Sequence, residues 1–153
     1  MRIAEYLGRL QSAEQQLAEA LAAVARRHAD TSPEVATTGS LLAAWSRQHV
    51  AALARVIARY GERHSNQPEQ LRRTLFQEPR SGAFGLLRDL QDTSILAYEV
   101  KLDWAILSQA ARALRDEDLQ ALCRSLGAET ERQIDWLHAQ LVEAAPEILT
   151  VPA

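Results

Sequence analysis

The chain has 153 residues and a mass of 17.0 kDa; 47% of its residues are hydrophobic, and 17 Lys and Arg against 20 Asp and Glu leave a net charge of -3. That is enough chain for one domain with a buried core, expected over 1–153. The pI of about 5.8 excludes the basic face that nucleic-acid binding uses. No run approaches the roughly 20 apolar residues of a membrane span, and the lone Cys123 excludes an internal disulfide.

The opening residues Met1, Arg2, Ile3, Ala4 and Glu5 lack the basic-then-apolar layout of a secretory signal, so a cytoplasmic location is expected. A first helix is predicted over about 2–29, with the apolar stripe Ile3, Leu7, Leu10, Leu17, Leu21 and Val24, interrupted by Glu14 and closed by His28. Ser32 as N-cap and Pro33 at the first helical position start a second helix, 33–61, with the stripe Leu42, Trp45, Leu53, Val56 and Tyr60 interrupted by Ser46 and His49. A polar crossover, 62–85, contains Pro68, Pro79, Gly82 and Gly85. The third helix, 86–114, is read with the stripe Ile95, Glu99, Leu102, Ile106, Ala110 and Ala113, and Asp103 one turn beyond Glu99. Asp116 caps a fourth helix, 117–144, stopped by Pro146; its stripe Leu119, Leu122, Leu126, Leu137 and Leu141 is interrupted by Thr130 and Gln133.

Short connections at 30–32 and 115–116 make two antiparallel hairpins, whereas the 24 residues of 62–85 are enough to return along a helix of about 40 Å. The expected fold is an all-α four-helix bundle of two antiparallel hairpins joined by a long crossover. The polar interruptions share one height. Glu14 lies 17 residues before Thr31 and His49 lies 18 after it; Glu99 lies 16 before Arg115, with Thr130 and Gln133 at 15 and 18 after. Burying such groups without partners costs roughly 1–3 kcal/mol each, so the layer must be satisfied by a metal or by itself.

At this layer the chain resembles the ferritin-like di-iron proteins, in which two helices each supply one Glu and two supply Glu-x-x-His. Glu14 and Glu99 stand where the single glutamates belong. The second-helix quartet reads Ser46-Arg47-Gln48-His49, with Ser46 in place of Glu; the fourth-helix quartet reads Thr130-Glu131-Arg132-Gln133, with both ligands replaced. The segment from Glu131 to Leu137 is similar to the bacterioferritin segment around its second His, and the helix and crossover pattern over about 2–144 is similar to small bacterial ferritin-like stress proteins.

The resemblance thus implies a bundle that keeps Glu14, His49 and Glu99 and lacks the bridging carboxylates that hold two irons together. The reading is a non-enzymatic protein without cofactor or catalytic residues, acting through its surface or as a homodimer in a bacterial stress response. One alternative is a single divalent metal, Fe, Mn or Zn, on Glu14, His49 and Glu99, with Asp103 or Gln133 adding an oxygen for redox or peroxide chemistry. Another is a small molecule in the core beside Ser46 and Thr130.

Other features are read structurally. Asp135 and His138 face solvent; Glu129 and Glu131 flank the fourth stripe and reach the layer if that helix rotates, with Glu131 read as exposed; Cys123 is a small core residue. Trp104, about 140° from Glu99 around its helix, and Trp136 are read as a dimer face.

Overall fold

The computed structural model describes residues 2–61 and 80–152. These form four α-helices: α1 (Ile3–Arg27), α2 (Pro33–Tyr60), α3 (Gly82–Ala113) and α4 (Glu117–Thr150). Most of the crossover expected at 62–85 lies outside the described residues, and α3 begins at Gly82, not 86.

Side-chain contacts fix the directions. Gly39 of α2 lies where an added Cβ would stand 3.3 Å from the Ala25 Cβ and 3.4 Å from the Leu21 carbonyl, and Gln11 of α1 donates to the Val50 carbonyl at 3.2 Å. Early α2 therefore meets late α1, and the two run antiparallel. His28 near the end of α1 meets Asp89 near the start of α3, while Tyr6 meets Asp103. Gln120 of α4 donates to the Ala111 carbonyl, and Lys101 pairs with Glu131. Gln133 of α4 reaches Leu42 and Ser46 of α2, and Asp116 receives Arg59 and Tyr60. Each neighbouring pair is antiparallel, so α2 and α3 point the same way from opposite corners of the bundle. The α2 and α4 backbones approach least closely of the neighbouring pairs, and long polar side chains bridge that gap.

The stripes on α1 and α2 face the core as their spacing predicts: Leu7, Leu10, Leu17, Leu21 and Leu53 are fully buried. Helix α3 differs. Leu96, Val100, Trp104, Leu107 and Ala111 face the core, whereas Leu102 is 63% and Ile106 51% exposed. The predicted stripe is thus displaced by about one residue, or about 100° around the axis. The reason is that α3 carries apolar residues on two sides, so hydrophobic spacing alone offers two phases. The same rotation turns Trp104 inward, leaving it 2% exposed, so it does not form an outer dimer face.

Helix α4 also runs past its expected stop. Pro146 lies inside it, and the helix ends at Thr150, whose hydroxyl bonds the Pro146 carbonyl at 2.6 Å. Proline has no N–H to give the carbonyl four residues back, here that of Val142, a residue 60% exposed.

The helix ends are held by polar contacts. Asp116 caps α4 by accepting from the Leu119 N–H at 3.0 Å, and it also takes Arg59 at 2.7 Å and the Tyr60 hydroxyl. These donors, led by Arg59, hold its carboxyl well down, at about 2. Ser32 occupies the N-cap position of α2, but its side chain makes no capping bond.

The α3–α4 turn carries a measurable strain. The Asp116 N–H bonds the Ala111 carbonyl at 3.0 Å and the Arg115 N–H bonds that of Arg112 at 3.1 Å, a Schellman closure in which Arg115 takes φ 53°. Glycine adopts that conformation without a Cβ penalty, so Arg115→Gly is expected to stabilise the protein by about 0.5–1 kcal/mol, read as a higher urea midpoint at unchanged slope.

Candidate functional site

The polar interruptions meet at mid-bundle, in an arrangement built from all four helices. His49 of α2 is fully buried, with Nδ1 2.8 Å from Glu14 Oε1 of α1 and Nε2 2.5 Å from Glu129 Oε2 of α4. Trp104 of α3 donates its indole N–H to the same Glu14 Oε1 at 2.9 Å. Its ring stands edge-on to His49, centroids 6.2 Å apart and planes at 88°. Glu14 is wholly enclosed, whereas the Glu129 side chain is 31% exposed and forms the outer rim.

Two ring nitrogens that both face carboxylates are both satisfied only when both carry hydrogen. Burial by itself lowers the His49 pKa, but the hydrogen bonds and charges of Glu14 and then Glu129 outweigh it, and the pKa lies above the ordinary histidine value. The geometry therefore favours a buried imidazolium between two carboxylates. Gln133 extends the polar layer one turn on, donating from Nε2 to Ser46 Oγ at 2.9 Å and to the Leu42 carbonyl at 3.0 Å. Thr130 is buried too, its hydroxyl returned to the Leu126 carbonyl at 3.1 Å. Ser46 and Thr130, read as open space where glutamates would stand, are enclosed and hydrogen-bonded.

Glu99 is not part of this centre. It lies on the outer side of α3, 25% exposed, 3.8 Å from Arg9 of α1. The expected trio of Glu14, His49 and Glu99 is not brought together, for the phase reason already given. Asp103 turns inward but belongs to a separate cluster, where it accepts from the Tyr6 hydroxyl at 3.0 Å with Arg9 Nε at 3.9 Å. Burial raises the Asp103 pKa above the ordinary carboxylate value, opposed by the Tyr6 hydrogen bond and Arg9 and reinforced by the charges of Glu99 and Glu14. Glu14 Oε2, Asp103 Oδ2 and Gln133 Oε1 have no hydrogen-bond partner among the described residues.

Among the described residues no group of three or more His, Cys, Asp or Glu side chains is arranged to hold a metal ion. Both His49 nitrogens face protein carboxylates in this arrangement. The remaining titratable groups are structural. His28, 2% exposed, bonds Asp89 at 2.9 Å, and Arg80 joins Asp89 and Asp92 beside the start of α3. Asp135 and His138 are exposed, as is Glu131, which pairs with Lys101 at 3.0 Å. Burial pushes the Cys123 thiol up to about 11, away from nucleophile chemistry.

No family model, no curated protein and no solved structure matches this chain.

Of the centre's members, Trp104 was missed in the sequence and Glu129 was legible only as a residue that reaches the layer if α4 rotates. Trp104 was hidden by the double stripe of α3, although its four-residue offset from Val100, itself four after Leu96, was the available signal. Glu129 flanks the α4 stripe one residue from Thr130, and only its length brings it to His49.

Two measurements follow from this geometry. Trp104→Phe keeps the ring but removes a donor to a buried carboxylate, so it is expected to cost about 2 kcal/mol in urea unfolding. For His49 the folded pKa lies above the unfolded one, so its stabilisation is fully present below about pH 6.5 and is lost as pH rises through the folded value. Unfolding free energy is thus expected to fall from slightly acidic to alkaline pH, and a His49→Gln variant, having no proton to lose there, is expected to show a flatter profile.

Proposed function

We propose that this protein is a ferritin-like bundle without a di-iron ferroxidase site, non-enzymatic, acting through its surface or its oligomer. The observation that carries this reading is the engagement of both His49 nitrogens by Glu14 and Glu129. A ferritin-like centre needs four carboxylates and two histidines pointing at two metals. In this bundle the one histidine of the layer is turned to protein carboxylates, and the positions expected to complete the set carry Ser46, Thr130 and Gln133, which bond each other or the backbone. Oxygen activation by paired irons would require bridging carboxylates that these residues do not supply. The antiparallel contacts of α1 with α2 and of α3 with α4 support a two-hairpin connectivity. Participation in a bacterial stress response is the role that the sequence resemblance implies.

A second reading, a mononuclear metalloprotein, is favoured by one observation: Glu14 Oε2 has no hydrogen-bond partner among the described residues, and the other carboxylate on His49, Glu129, is 31% exposed. Its withdrawal would release His49 Nε2 as a ligand.

Aerobic mixing with ferrous iron decides between them. The protein is expected to oxidise iron no faster than buffer and to be purified without stoichiometric metal. Saturable turnover, with about two irons per chain, would overturn the proposal. One tightly held metal lost on His49→Gln substitution would establish the second reading.

A further inference from the structure

We propose that the bundle opens at the seam between α2 and α4. The hairpins α1–α2 and α3–α4 part there by pivoting on the contact of α1 with α3, and the parting admits solvent and small solutes to the buried polar layer around His49. The seams of the bundle are unequal. Within the first hairpin, Gly39 brings α2 so near α1 that an added Cβ would stand 3.3 Å from that of Ala25. Within the second, the Asp116 N–H bonds the Ala111 carbonyl at the turn, and Gly127 lies against the Cβ of Trp104. Close packing along each hairpin makes it one body.

The two seams between the hairpins differ in kind. Tyr6, Ala13 and Ala20 recur every seven residues on α1, and Tyr6 reaches Asp103, so this line of the helix faces α3. Ala13 and Ala20 are buried, and small side chains let two helix axes come close. Two buried hydrogen bonds reinforce this side, His28 to Asp89 and Trp104 to Glu14. On the other side the α2 and α4 backbones approach least closely. Bulky residues edge that seam: Trp45 lies one turn before His49 and Trp136 seven residues after Glu129, on the same sides of their helices as that bridging pair. The polar links across it are made by side chains, with Glu129 on His49, Gln133 on Ser46 and the Leu42 carbonyl, and Arg59 and Tyr60 on Asp116. The Glu129 and Arg59 side chains are 31% and 48% exposed, so water takes over part of those bonds when the seam parts, and their net contribution is small. A packed pivot opposite a polar latch is the arrangement of a hinge. Leu53 and Leu137, fully buried on α2 and α4, lose part of their cover in the motion, so the open form is a minor one. This inference rests on the geometry of the layer and not on the ferritin-like reading, which iron turnover tests separately.

The test is labelling of thiols in the native full chain by iodoacetamide, read by mass spectrometry of its peptides. Ser46→Cys places a thiol at a fully buried position on the seam. Cys123, also buried but about 120° around α4 from Glu129, is the internal reference. The introduced thiol is expected to react at least about tenfold faster than Cys123, at a rate that low urea leaves unchanged, because parting of rigid hairpins exposes little surface. Cys123 is expected to react only as fast as global unfolding exposes it, with a rate that climbs with urea. Gln133→Cys puts the thiol on the opposite wall of the seam and is expected to behave as Ser46→Cys does, so the test survives if one of the two substitutions unsettles the fold. An introduced thiol that reacts no faster than Cys123, or whose rate climbs with urea in parallel with it, would overturn the proposal.

Discussion

His49 lies buried at the centre of the bundle with both ring nitrogens against carboxylates, and both carboxylates come from other helices. Glu14 also receives the Trp104 N–H, so a connected set of hydrogen bonds runs from α3 through α1 and α2 to α4. Rotating or sliding any one helix would break a bond to a charged group inside the protein. The layer therefore fixes the phase of all four helices together, which an apolar core of interchangeable leucines does less strictly.

Such a centre is a poor source of net stability. Ionisable groups brought together in a region largely shielded from water lose hydration, and that desolvation offsets much of their mutual attraction. The surroundings limit the penalty. Glu129 keeps contact with solvent, Trp104 adds a donor to Glu14, and Asp103, the next carboxyl on α3, is shifted toward its neutral form by burial. Breaking one member is expected to cost more than the whole set contributes, since a lone carboxylate would then remain buried without its partner. This asymmetry explains how charged residues persist in a core once their partners are in place.

The bundle ends repeat the same logic on a smaller scale. At one end His28 and Arg80 meet on Asp89, joining α1 to the start of α3. At the other, Asp116 gathers Arg59, Tyr60 and the first turn of α4. Between these anchors α3 carries apolar residues on both its inner and its outer side, and the bundle covers the inner one.

The sequence by itself determined the helices and most of the core. Proline at position 33, the Asp116 cap, and the three- and four-residue spacing of leucines on α1 and α2 are local signals, and local signals are sufficient where only one face of a helix is apolar. It also marked Glu14, Ser46, His49, Thr130 and Gln133 as buried polar residues, because each interrupts an apolar stripe near mid-helix. Tertiary structure decided what spacing leaves open. Two stripes on α3 satisfy the same helical period, and only packing against α1 and α4 selects the one with Val100 and Trp104, sending Glu99 outward to Arg9. Packing likewise brought Glu129 to His49: a residue beside a stripe reaches the core only when its neighbour stands far enough away to admit a long side chain, and that distance is a property of two helices, written in neither one alone.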